Sequence, residues 1–600
     1  MCGITAYCGY GEAAPFLMQG LLKLEYRGYD SAGITVLRDG KLTTIKKKGR
    51  LGLLEEELKK YDTTGHVGIG HTRWATHGEP SDVNSHPHNN ADNTISIVHN
   101  GIIENYREIK EMLTGLGYVF KSETDTEVIV HAIDYYYKGD LLEAVFKVID
   151  IIKGSYGLCI MSTLEPDKII VARKHSPICI GKADDCVVAT SDIPALLEYT
   201  RDVYFVDDDE VAVMTKDDVT FYNKNHEVIT KNINKIPNDI EAAKKEGYDY
   251  FMIKEINEQP RAIEQTLTGR VQGDHVVFEE LDDIDFTNIN KVVFVACGTA
   301  YHACICGAKI IEKATRLPVT YDVASEFRYS DPIIDEHTLC FFVSQSGETA
   351  DTLAALRLAK ENGCTTVGVC NVVGSTLSRD ADHILYTWAG PEIAVASTKA
   401  YTTQVVLLTL VAMYIAQRLN MPVDQEVLTQ ISLLPGYIEK ILKDDEIFAN
   451  YAKYLENQHD CYFIGRQLDY ASVLEGALKL KEISYVHADA YIAGELKHGS
   501  IALIEEGTVV VAVVTQPHVA PKTVSNIQET VARGANVLLF TTDKRDLNGV
   551  NNVYYLPEVN PLLMSVLIAV PLQLFAYHTA VQRGLDVDKP RNLAKSVTVE

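Results

Sequence analysis

Residues 291–300 read KVVFVACGTA, an apolar run that ends in a cysteine and a glycine before a helical pattern begins. A strand that is apolar at every position has both of its faces covered, which is typical of a parallel sheet between layers of helices. The same order of strand, turn and helix recurs in residues 340–349 (CFFVSQSGET) and, about 170 residues after the first, in residues 461–466 (CYFIGR). The repeat predicts two copies of a doubly wound α/β module.

The composition of the chain changes ahead of this repeat. Residues 231–248 are a polar stretch that contains Pro237, and they suggest a domain boundary near residue 240. Beyond the boundary, residues 249–269 predict the start of one long helix. The predicted domains are residues 1–240, a first doubly wound subdomain (241–425), a second one (426–590) and a C-terminal tail (591–600).

The charge and the cysteines restrict partners and location. Of 600 residues, 82 are acidic and 56 are basic, which gives a formal net charge of -26. Such a surface repels nucleic acids and anionic membranes, so neither is expected as a partner. The 12 cysteines include no C-x-x-C pair and follow no secretory leader, which predicts a reduced, cytoplasmic protein. The most apolar run, residues 405–416, is shorter than the ~20 residues of a membrane span and predicts a buried helix.

Two loops of the first repeat are candidates for binding a sugar phosphate. Residues 344–349 (SQSGET) place hydroxyl groups before a helix. Hydroxyls and unpaired backbone N–H groups at a helix N-terminus can hold a phosphate without a lysine. The alternative is a serine-capped helix without a ligand. Residues 394–399 form a second loop, of small residues, where a sugar could approach the backbone.

Three charged residues of the segment 475–483 share one helical face, because Glu475, Lys479 and Glu482 are spaced at i, i+4 and i+7. A solvated, salt-bridged face is the ordinary explanation of this pattern. The rest of the helix is largely apolar, however, and a lysine buried between carboxylates would tune pKa values for proton transfer. His498, in a glycine-bounded loop, is a further candidate for acid–base chemistry.

At the other end of the chain, the second residue is a cysteine. Removal of Met1 makes Cys2 the N-terminus, and its own α-amino group can then take the thiol proton near neutral pH. No separate histidine is needed for such a nucleophile. The alternative is an ordinary cysteine at a frayed terminus.

A donor-rich segment, residues 71–78 (HTRWATHG), follows an apolar strand pattern. Arg73 is a natural partner for a carboxylate, because its fork donates two parallel hydrogen bonds. A metal site is the competing interpretation, but the histidines up to His99 lack a tight pair at zinc spacing with a carboxylate or thiolate. Asn100 and Gly101 instead suit an oxyanion hole, because an amide and a glycine N–H can converge on one oxygen.

Five N-terminal motifs together resemble the N-terminal-nucleophile glutaminase domain of the glutamine:fructose-6-phosphate aminotransferase family. They are residues 2–4, 26–33, 71–78, 99–101 and 124–127. The last of them would by itself indicate only a capped helix start. The resemblance implies an α/β/β/α sandwich with Cys2 as the nucleophile. It further implies that Asn100 and Gly101 form the oxyanion hole, that Arg73 and Asp125 bind the carboxylate and amine of glutamine, that Thr76 and His77 line the pocket, and that Trp74 gates the passage of ammonia.

The C-terminal half resembles the isomerase domain of the same family, which consists of two sugar-isomerase subdomains. The resemblance implies that His498 opens the sugar ring from the neighbouring subunit of a homodimer, and that Glu482, beside Lys479, moves a proton between C1 and C2. It assigns the sugar phosphate to Ser344, Gln345, Ser346, Thr349, Thr299, Val395, Ser397 and Ala594, and the open-chain sugar to Lys595 in a tail that closes the site. Ala300 stands where the family usually has serine, so one hydroxyl contact to the sugar is missing.

These resemblances predict an enzyme that hydrolyses glutamine and transfers the ammonia to fructose 6-phosphate, giving glucosamine 6-phosphate without a metal or an organic cofactor. Another type of glutamine amidotransferase would need a phosphoribosyl-diphosphate loop or an ATP-pyrophosphatase loop, and the sequence has neither. A sugar-phosphate sensor without enzymatic activity would not need Cys2, Glu482, His498 and Lys595 together.

Overall fold

The computed structural model describes residues 2–25, 28–75, 77–236, 245–545 and 547–598. Two compact units make up the chain: Met1–Glu241 together with Ser596–Glu600, and Ala242–Lys595. Each unit has its own sheets and its own apolar clusters.

The first unit is built from strands β1 to β15 and helices α1 to α5. The strands are β1 (Gly3–Gly9), β2 (Ser31–Arg38), β3 (Lys41–Lys48), β4 (Val67–Arg73), β5 (His88–Asn89), β6 (Ile95–Ile103), β7 (Gly154–Ser162), β8 (Lys168–Lys174), β9 (Cys179–Lys182), β10 (Cys186–Thr190), β11 (Asp202–Phe205), β12 (Glu210–Thr215), β13 (Val219–Tyr222), β14 (Val228–Ile229) and β15 (Asn234–Lys235). The helices are α1 (Ala13–Leu24), α2 (Leu51–Leu58), α3 (Tyr106–Gly115), α4 (Glu127–Tyr136) and α5 (Leu141–Ile149).

Two antiparallel sheets form the middle of this unit. One has the strand order β15-β11-β9-β10-β1-β4-β2-β3, and the other has the order β14-β13-β12-β8-β7-β6-β5. Apolar residues from both sheets, such as Ile69 of the first and Val171 of the second, share one buried cluster. Helices α1 and α2 cover the outer face of the first sheet, and α3 to α5 cover that of the second. The predicted α/β/β/α sandwich is therefore confirmed.

Two strands of this unit are longer than the apolar patterns predict. The apolar patterns predict strands over residues 67–70 and 95–98, whereas β4 continues to Arg73 and β6 continues to Ile103. The cause is pairing, because β6 stays in register with β7 from Ile95 to Ile103 and its backbone groups keep their partners. The candidate residue Arg73 therefore lies at the end of β4, and Asn100 lies inside β6, paired with Gly157 of β7.

The second unit is built from strands β16 to β27 and helices α6 to α18. The strands are β16 (Val271–Gln272), β17 (His275–Val276), β18 (Lys291–Ala296), β19 (Val319–Val323), β20 (Thr338–Ser344), β21 (Thr365–Cys370), β22 (His383–Tyr386), β23 (Asp460–Gly465), β24 (His487–Ile492), β25 (Val509–Val514), β26 (Asn536–Thr541) and β27 (Asn552–Tyr555). The helices are α6 (Phe251–Asn257), α7 (Gln259–Leu267), α8 (Gly298–Thr315), α9 (Ala324–Phe327), α10 (Ala350–Glu361), α11 (Thr376–Asp380), α12 (Lys399–Arg418), α13 (Gln425–Ile431), α14 (Leu434–Lys443), α15 (Asp445–Ala452), α16 (Leu468–Ser484), α17 (Ala520–Val531) and α18 (Met564–Gln582).

Two parallel sheets of five strands repeat one topology. Their strand orders are β19-β18-β20-β21-β22 and β24-β23-β25-β26-β27, so in each the first long strand along the chain lies second from the edge. The doubly wound repeat that residues 291–300 and 461–466 predict is confirmed, because β18 and β23 hold the same place in the two sheets. In such sheets ligands bind at the carboxyl ends of the strands.

Two long helices lie in the core of this unit. Lys399–Arg418 (α12) and Pro561–Gln582, which includes α18, are long and apolar enough to cross a membrane, but 94% of each apolar window is buried inside the unit. The burial predicted for residues 405–416 is confirmed. Both helices contribute to one large apolar cluster that spans both parallel sheets.

The start of the second unit differs from the prediction of one helix over residues 249–269. The structure has two short helices there, α6 ending at Asn257 and α7 beginning at Gln259. Pro260 explains the interruption, because a proline inside a continuous helix lacks the N–H donor and its ring clashes with the carbonyl four residues earlier.

Candidate active sites

Cys2 lies directly before β1, and the pairing of β1 with β4 brings the end of β4 next to it. The backbone N–H of Trp74 donates to the Cys2 Sγ at 3.4 Å, and the thiol donates to the Trp74 carbonyl at 3.6 Å. Cys2 is half-buried and forms no disulfide. The thiol is thus held by neighbouring backbone, so a frayed terminus does not describe it. Met1 lies outside the described residues.

The end of β6 lies beside Cys2. The amide Nδ2 of Asn100 donates to the Cys2 carbonyl at 3.1 Å. Gly101 has a φ of 127°, and a Cβ at this position would lie 2.1 Å from the carbonyl oxygen of Ser155, so only glycine fits. An amide N–H and a glycine N–H next to a thiol can stabilise the negative oxygen that forms when the thiol attacks an amide.

Arg73 is buried at the end of β4. Its Nη2 donates to the carbonyls of His77 and Gly78, whereas its buried Nη1 has no hydrogen-bond partner in the described part of the chain. Burial lowers the pKa of Arg73, while the negative charges of Cys2 and Asp125 act in the opposite direction. A buried guanidinium N–H without a partner is costly, and the carboxylate of a substrate would satisfy it.

Two other segments complete this candidate glutamine pocket. Asp125 lies just before α4, and its Oδ2 accepts a hydrogen bond from the Ile103 N–H at 2.8 Å. The His77 ring contacts Tyr106 edge-on, and its Nδ1 is buried without a partner in the described ranges. Thr76 lies outside the described residues, so its role stays a prediction.

Residues 124–127 form the capped helix start only in part: Glu127 is the acidic residue in the first turn of α4, but the N-cap residue, Thr126, makes no side-chain capping hydrogen bond. The Glu127 carboxylate accepts hydrogen bonds from the backbone N–H groups of Lys121 and Ser122, at 2.9 and 2.6 Å. Burial opposes the ionisation of Glu127, but its interaction with the His131 side chain and its hydrogen bonds with Lys121 and Ser122 lower its pKa to about 2. Glu127 thus fastens the loop that precedes α4, and Asp125, which accepts from Ile103 rather than from the start of α4, can serve a ligand.

In the second unit, the loop between β20 and α10 lies at the carboxyl end of the first parallel sheet. The hydroxyls of Ser344 and Thr349 are 2.9 Å apart, and Ser344 Oγ accepts the N–H of Gly347 at 3.1 Å. Gly347 has a φ of 66°, and a Cβ there would lie 2.1 Å from a serine hydroxyl of the next loop. Gln345 and Ser346 lie in the same loop. Ordered hydroxyls before a helix of three turns can bind a phosphate.

Lys479, on α16, is fully buried between two carboxylates. Its Nζ lies 2.5 Å from Glu482 Oε2 and 3.4 Å from Glu475 Oε1. Burial alone would lower the pKa of Lys479, but the two carboxylates outweigh burial and raise it. Thr299, at the start of α8, donates to Glu475 at 3.1 Å and accepts from Lys479 at 3.0 Å. The shared helical face is confirmed, and the solvated alternative is wrong because the lysine is inaccessible.

Lys595 forms a buried ion pair with Glu392 and lies 3.4 Å from the hydroxyl of Ser397. Burial opposes ionisation of Glu392, but the charge of Lys595 and two backbone N–H groups near the start of α12 lower its pKa to about 2. The charge of Glu392 also acts on Lys479. The tail therefore lies close to the proposed proton-transfer residues.

The tail up to Lys595 is anchored. The Asp588 carboxylate accepts the first two backbone N–H groups of α6, both at 2.9 Å. Its carbonyl accepts the N–H of Val395 at 3.1 Å, which ties the segment just before the tail to the small-residue loop. The Arg591 guanidinium lies 4.1 Å from the centre of the Tyr485 ring. These contacts position Ala594 and its neighbour Lys595.

His498 is not brought to these groups within one chain. It ends a short 3-10 helix, Leu496–His498, it is exposed, and its imidazole forms no hydrogen bond or ion pair in the part of the chain that the structure describes. Two exposed apolar residues, Ile492 and Leu503, lie near it along the chain, with 42% and 56% of their surface accessible. The role predicted for His498 stays a prediction.

Three residues in these sites were not predicted from the sequence: Glu392, His302 and Lys481. Glu392 belongs to no motif, and the contact with Lys595 that accompanies its burial joins residues about 200 positions apart in the chain. His302 Nδ1 lies 2.8 Å from Glu475 Oε2 and, with Lys481, lines a cleft of 310 Å³. The spacing of His302 and Thr299, one turn apart at the start of α8, is the one sequence signal that could have found it.

Comparisons with known proteins find different domain models in the N-terminal and C-terminal parts of the chain. A glutamine amidotransferase domain model matches residues 56–249, and an SIS domain model matches residues 285–414 and 454–583. The fold and the two sites thus define an amidotransferase joined to a tandem pair of SIS domains.

Whole-chain relatives identify the family. The glutamine–fructose-6-phosphate aminotransferase [isomerizing] of Clostridium acetobutylicum is 54% identical over 610 aligned residues, and that of Clostridium tetani is 53% identical over 610, each alignment covering 100% of both chains. The solved C-terminal domain of glucosamine-fructose-6-phosphate aminotransferase from Francisella tularensis is 38% identical, with a TM-score of 0.56, and covers 58% of this chain and 100% of that one. The chain belongs to the glutamine–fructose-6-phosphate aminotransferase (isomerizing) family.

Proposed function

We propose that this chain hydrolyses glutamine to glutamate and ammonia at Cys2 and transfers the ammonia to fructose 6-phosphate, forming glucosamine 6-phosphate, the first step of amino-sugar synthesis. The observation that carries the proposal is the presence in one chain of two candidate sites, one suited to each half of this reaction. One is a cysteine bracketed by Trp74 and Asn100, and the other is the buried Lys479 between two carboxylates. Membership of the family supports the same reaction.

At the first site, the α-amino group of Cys2 takes the thiol proton and Sγ attacks the glutamine amide carbon. Asn100 Nδ2 and the Gly101 N–H stabilise the resulting oxyanion. The C–N bond breaks, ammonia leaves with the proton held by the amine, and a thioester remains on Cys2. Water then hydrolyses the thioester to glutamate. Arg73 and Asp125 hold the carboxylate and the amine of glutamine throughout.

At the second site, the loop of residues 344–349 holds the phosphate of fructose 6-phosphate. Ammonia adds to the C2 carbonyl and water is lost, which gives an imine. Glu482 moves a proton from C1 to C2 while the hydroxyl proton of O1 passes to the imine nitrogen, so that the ketose imine becomes an aldose amine without a change in total protons. Lys479 stabilises the charge of Glu482, and Lys595 contacts the open-chain sugar while the tail closes the site.

We assign residues 1–240 to the glutaminase, 241–425 and 426–590 to the two sugar-isomerase subdomains, and 591–600 to the closing tail. Separate expression of residues 1–240 tests this boundary, because the glutaminase domain is then expected to release glutamate without any sugar. A soluble fragment that leaves glutamine intact would contradict the assignment.

A direct assay tests the proposed function. The full chain, with its N-terminus verified by mass spectrometry, is incubated with glutamine labelled with ¹⁵N in its amide and with fructose 6-phosphate. Labelled glucosamine 6-phosphate is expected in equal amount to glutamate. Glutamate without amino sugar would indicate another type of amidotransferase, and no product at all would refute the proposal.

We further propose that the protein is a homodimer in which His498 acts in the site of the partner subunit. The exposed apolar residues near His498 support an interface there, since such residues gain most from burial. The isolated position of the imidazole in the single chain supports the same arrangement, because ring opening needs a proton-transfer group at the sugar.

Mixing two inactive variants tests this arrangement. Glu482→Gln and His498→Ala chains, each inactive alone, are refolded together or co-expressed. If His498 serves the partner, each mixed dimer has one site with both native residues, and about a quarter of the wild-type activity is expected to return. If His498 serves its own chain, no site is complete and the mixture stays inactive.

We propose that Trp74 retains ammonia between the two reactions. Its backbone already contacts the Cys2 thiol, so a side-chain substitution leaves those contacts in place. Trp74→Ala is expected to hydrolyse glutamine but to form several-fold less glucosamine 6-phosphate per glutamate, with Trp74→Phe intermediate. An unchanged ratio of the two products would refute the gate.

We also place the enzyme in the cytoplasm. The 12 cysteines form no disulfide, which suits a reducing compartment. Cell fractionation with an assay for the amino sugar tests the location, and activity that sediments with membranes would contradict it.

A further inference from the structure

Three buried histidines lie behind the candidate oxyanion hole. His71, on β4, is closest to it: its Nε2 lies 3.0 Å from the His99 carbonyl oxygen and 3.1 Å from Asn100 Oδ1. His86 Nδ1 lies 3.1 Å from His71 Nε2, and the rings of His86 and His88 are in contact. The proposed mechanism uses none of these three imidazoles.

The hydrogen bonds fix the tautomer of His71. A carbonyl oxygen can only accept, so the 3.0 Å contact with His99 requires a proton on Nε2 of His71. The side of the Asn100 amide that faces Nε2 must then be its oxygen. The amide nitrogen consequently points the other way, to the Cys2 carbonyl.

Burial keeps this arrangement constant. His71 is completely inaccessible, and burial lowers its pKa to about 3, so the imidazole is neutral over the pH range in which a thiol reacts. Its Nδ1 is buried with no hydrogen-bond partner in the described residues. A buried nitrogen without a partner costs less when it carries a lone pair than when it carries a proton. Both observations agree with a neutral imidazole protonated on Nε2.

We infer that His71 is a positioning residue for glutamine hydrolysis, which locks the Asn100 side-chain amide with its N–H groups towards Cys2. The inference rests on the proposed function and adds a residue to it. Without the imidazole, the Cys2 carbonyl would be left as the contact that favours the present orientation of the amide. A rotated amide would present its oxygen to the developing oxyanion and would repel it instead of stabilising it.

Kinetics of His71→Leu test the inference. Because the donor acts on the transition state, kcat for glutamine hydrolysis is expected to fall by about 100-fold, while KM for glutamine changes less than about threefold. Formation of glucosamine 6-phosphate from ammonium and fructose 6-phosphate is expected to stay unchanged. The pH profile of kcat is expected to keep its shape, because His71 exchanges no proton in the reaction.

A double-mutant cycle shows whether His71 acts through Asn100. In an Asn100→Ala background, the additional change His71→Leu is expected to cost less than about twofold, because the amide that it positions is gone. His71→Gln, whose amide can donate in place of Nε2, is expected to recover part of the loss. His131→Leu is the matched control, since His131 is equally buried in the same unit but lies beside Glu127, Tyr118 and Phe120 rather than Asn100.

Four outcomes would overturn the inference: an unchanged kcat in His71→Leu, an equal loss in the Asn100→Ala background, an equal loss in His131→Leu, or a shifted pH profile. If His71→Leu does not fold, as judged by its melting temperature and its ammonium-dependent activity, the same cycle is carried out with His71→Gln and His71→Asn. A wild-type chain that cannot hydrolyse glutamine would refute the proposed function itself, so the two failures are distinguishable.

Discussion

Replacement of Cys2 by alanine is expected to abolish the use of glutamine, with a loss of about 10⁴-fold or more in glutamate release. The reason is that no other group in the site can form the thioester, and the α-amino group has no thiol to deprotonate. Synthesis from ammonium and isomerisation of the sugar phosphate are expected to continue, because Glu482 and Lys479 belong to a different unit. Parallel assays with glutamine and with ammonium measure both effects.

Cys8→Ala is the matched control for this prediction. Cys8 lies in the same strand, β1, but it is buried in the apolar core and its thiol contacts the Asp167 carbonyl. Glutamine hydrolysis is expected to survive this change. Equal loss of the glutamine and ammonium reactions in Cys2→Ala would argue against two separable sites. An N-terminal extension that keeps Cys2 from being the first residue is expected to reproduce the Cys2→Ala result.

Glu482→Gln is expected to reduce amino-sugar formation by about 10³-fold or more with either nitrogen source, whereas glutamate release continues. Glutamine has nearly the shape of glutamate but cannot take the proton from C1. The change also leaves Lys479 with Glu475 as its remaining ion-pair partner, so the charge balance of the buried cluster is altered. Assays of glucosamine 6-phosphate and of glutamate on the same samples separate the two effects.

Two variants serve as controls for this result, one with a shorter side chain at position 482 and one at a remote glutamate. Glu482→Asp keeps the carboxylate but shortens the side chain by one methylene group, which moves the carboxylate away from the sugar. This variant is expected to retain more activity than Glu482→Gln. Glu439→Gln, on the exposed surface of α14, is expected to behave as the wild type. A Glu482→Gln enzyme with near-normal synthesis would exclude Glu482 as the proton carrier.

Local sequence patterns were sufficient to predict the fold class of each unit. The apolar run at residues 291–296 is a strand with the same bounds in the structure, and the repeat at 461–466 occupies the equivalent place in its own sheet. Such patterns work because a parallel strand is buried on both faces, which selects apolar residues at every position. The pattern fails where pairing continues beyond the apolar residues, as in β6, because backbone hydrogen bonds do not depend on side chains.

The sequence alone shows the cysteine at position 2, the candidate oxyanion-hole pair Asn100 and Gly101, and the spacing of Glu475, Lys479 and Glu482, since each depends on adjacent residues or on one helix. It does not show the complete burial of Lys479, the ion pair of Lys595 with Glu392 or the alignment of His71 with Asn100. Each of these features depends on residues that are distant in the chain. Burial removes water from around them, so that their hydrogen bonds fix side-chain orientations and their charges shift pKa values. The tertiary fold alone determines which residues are buried in this way.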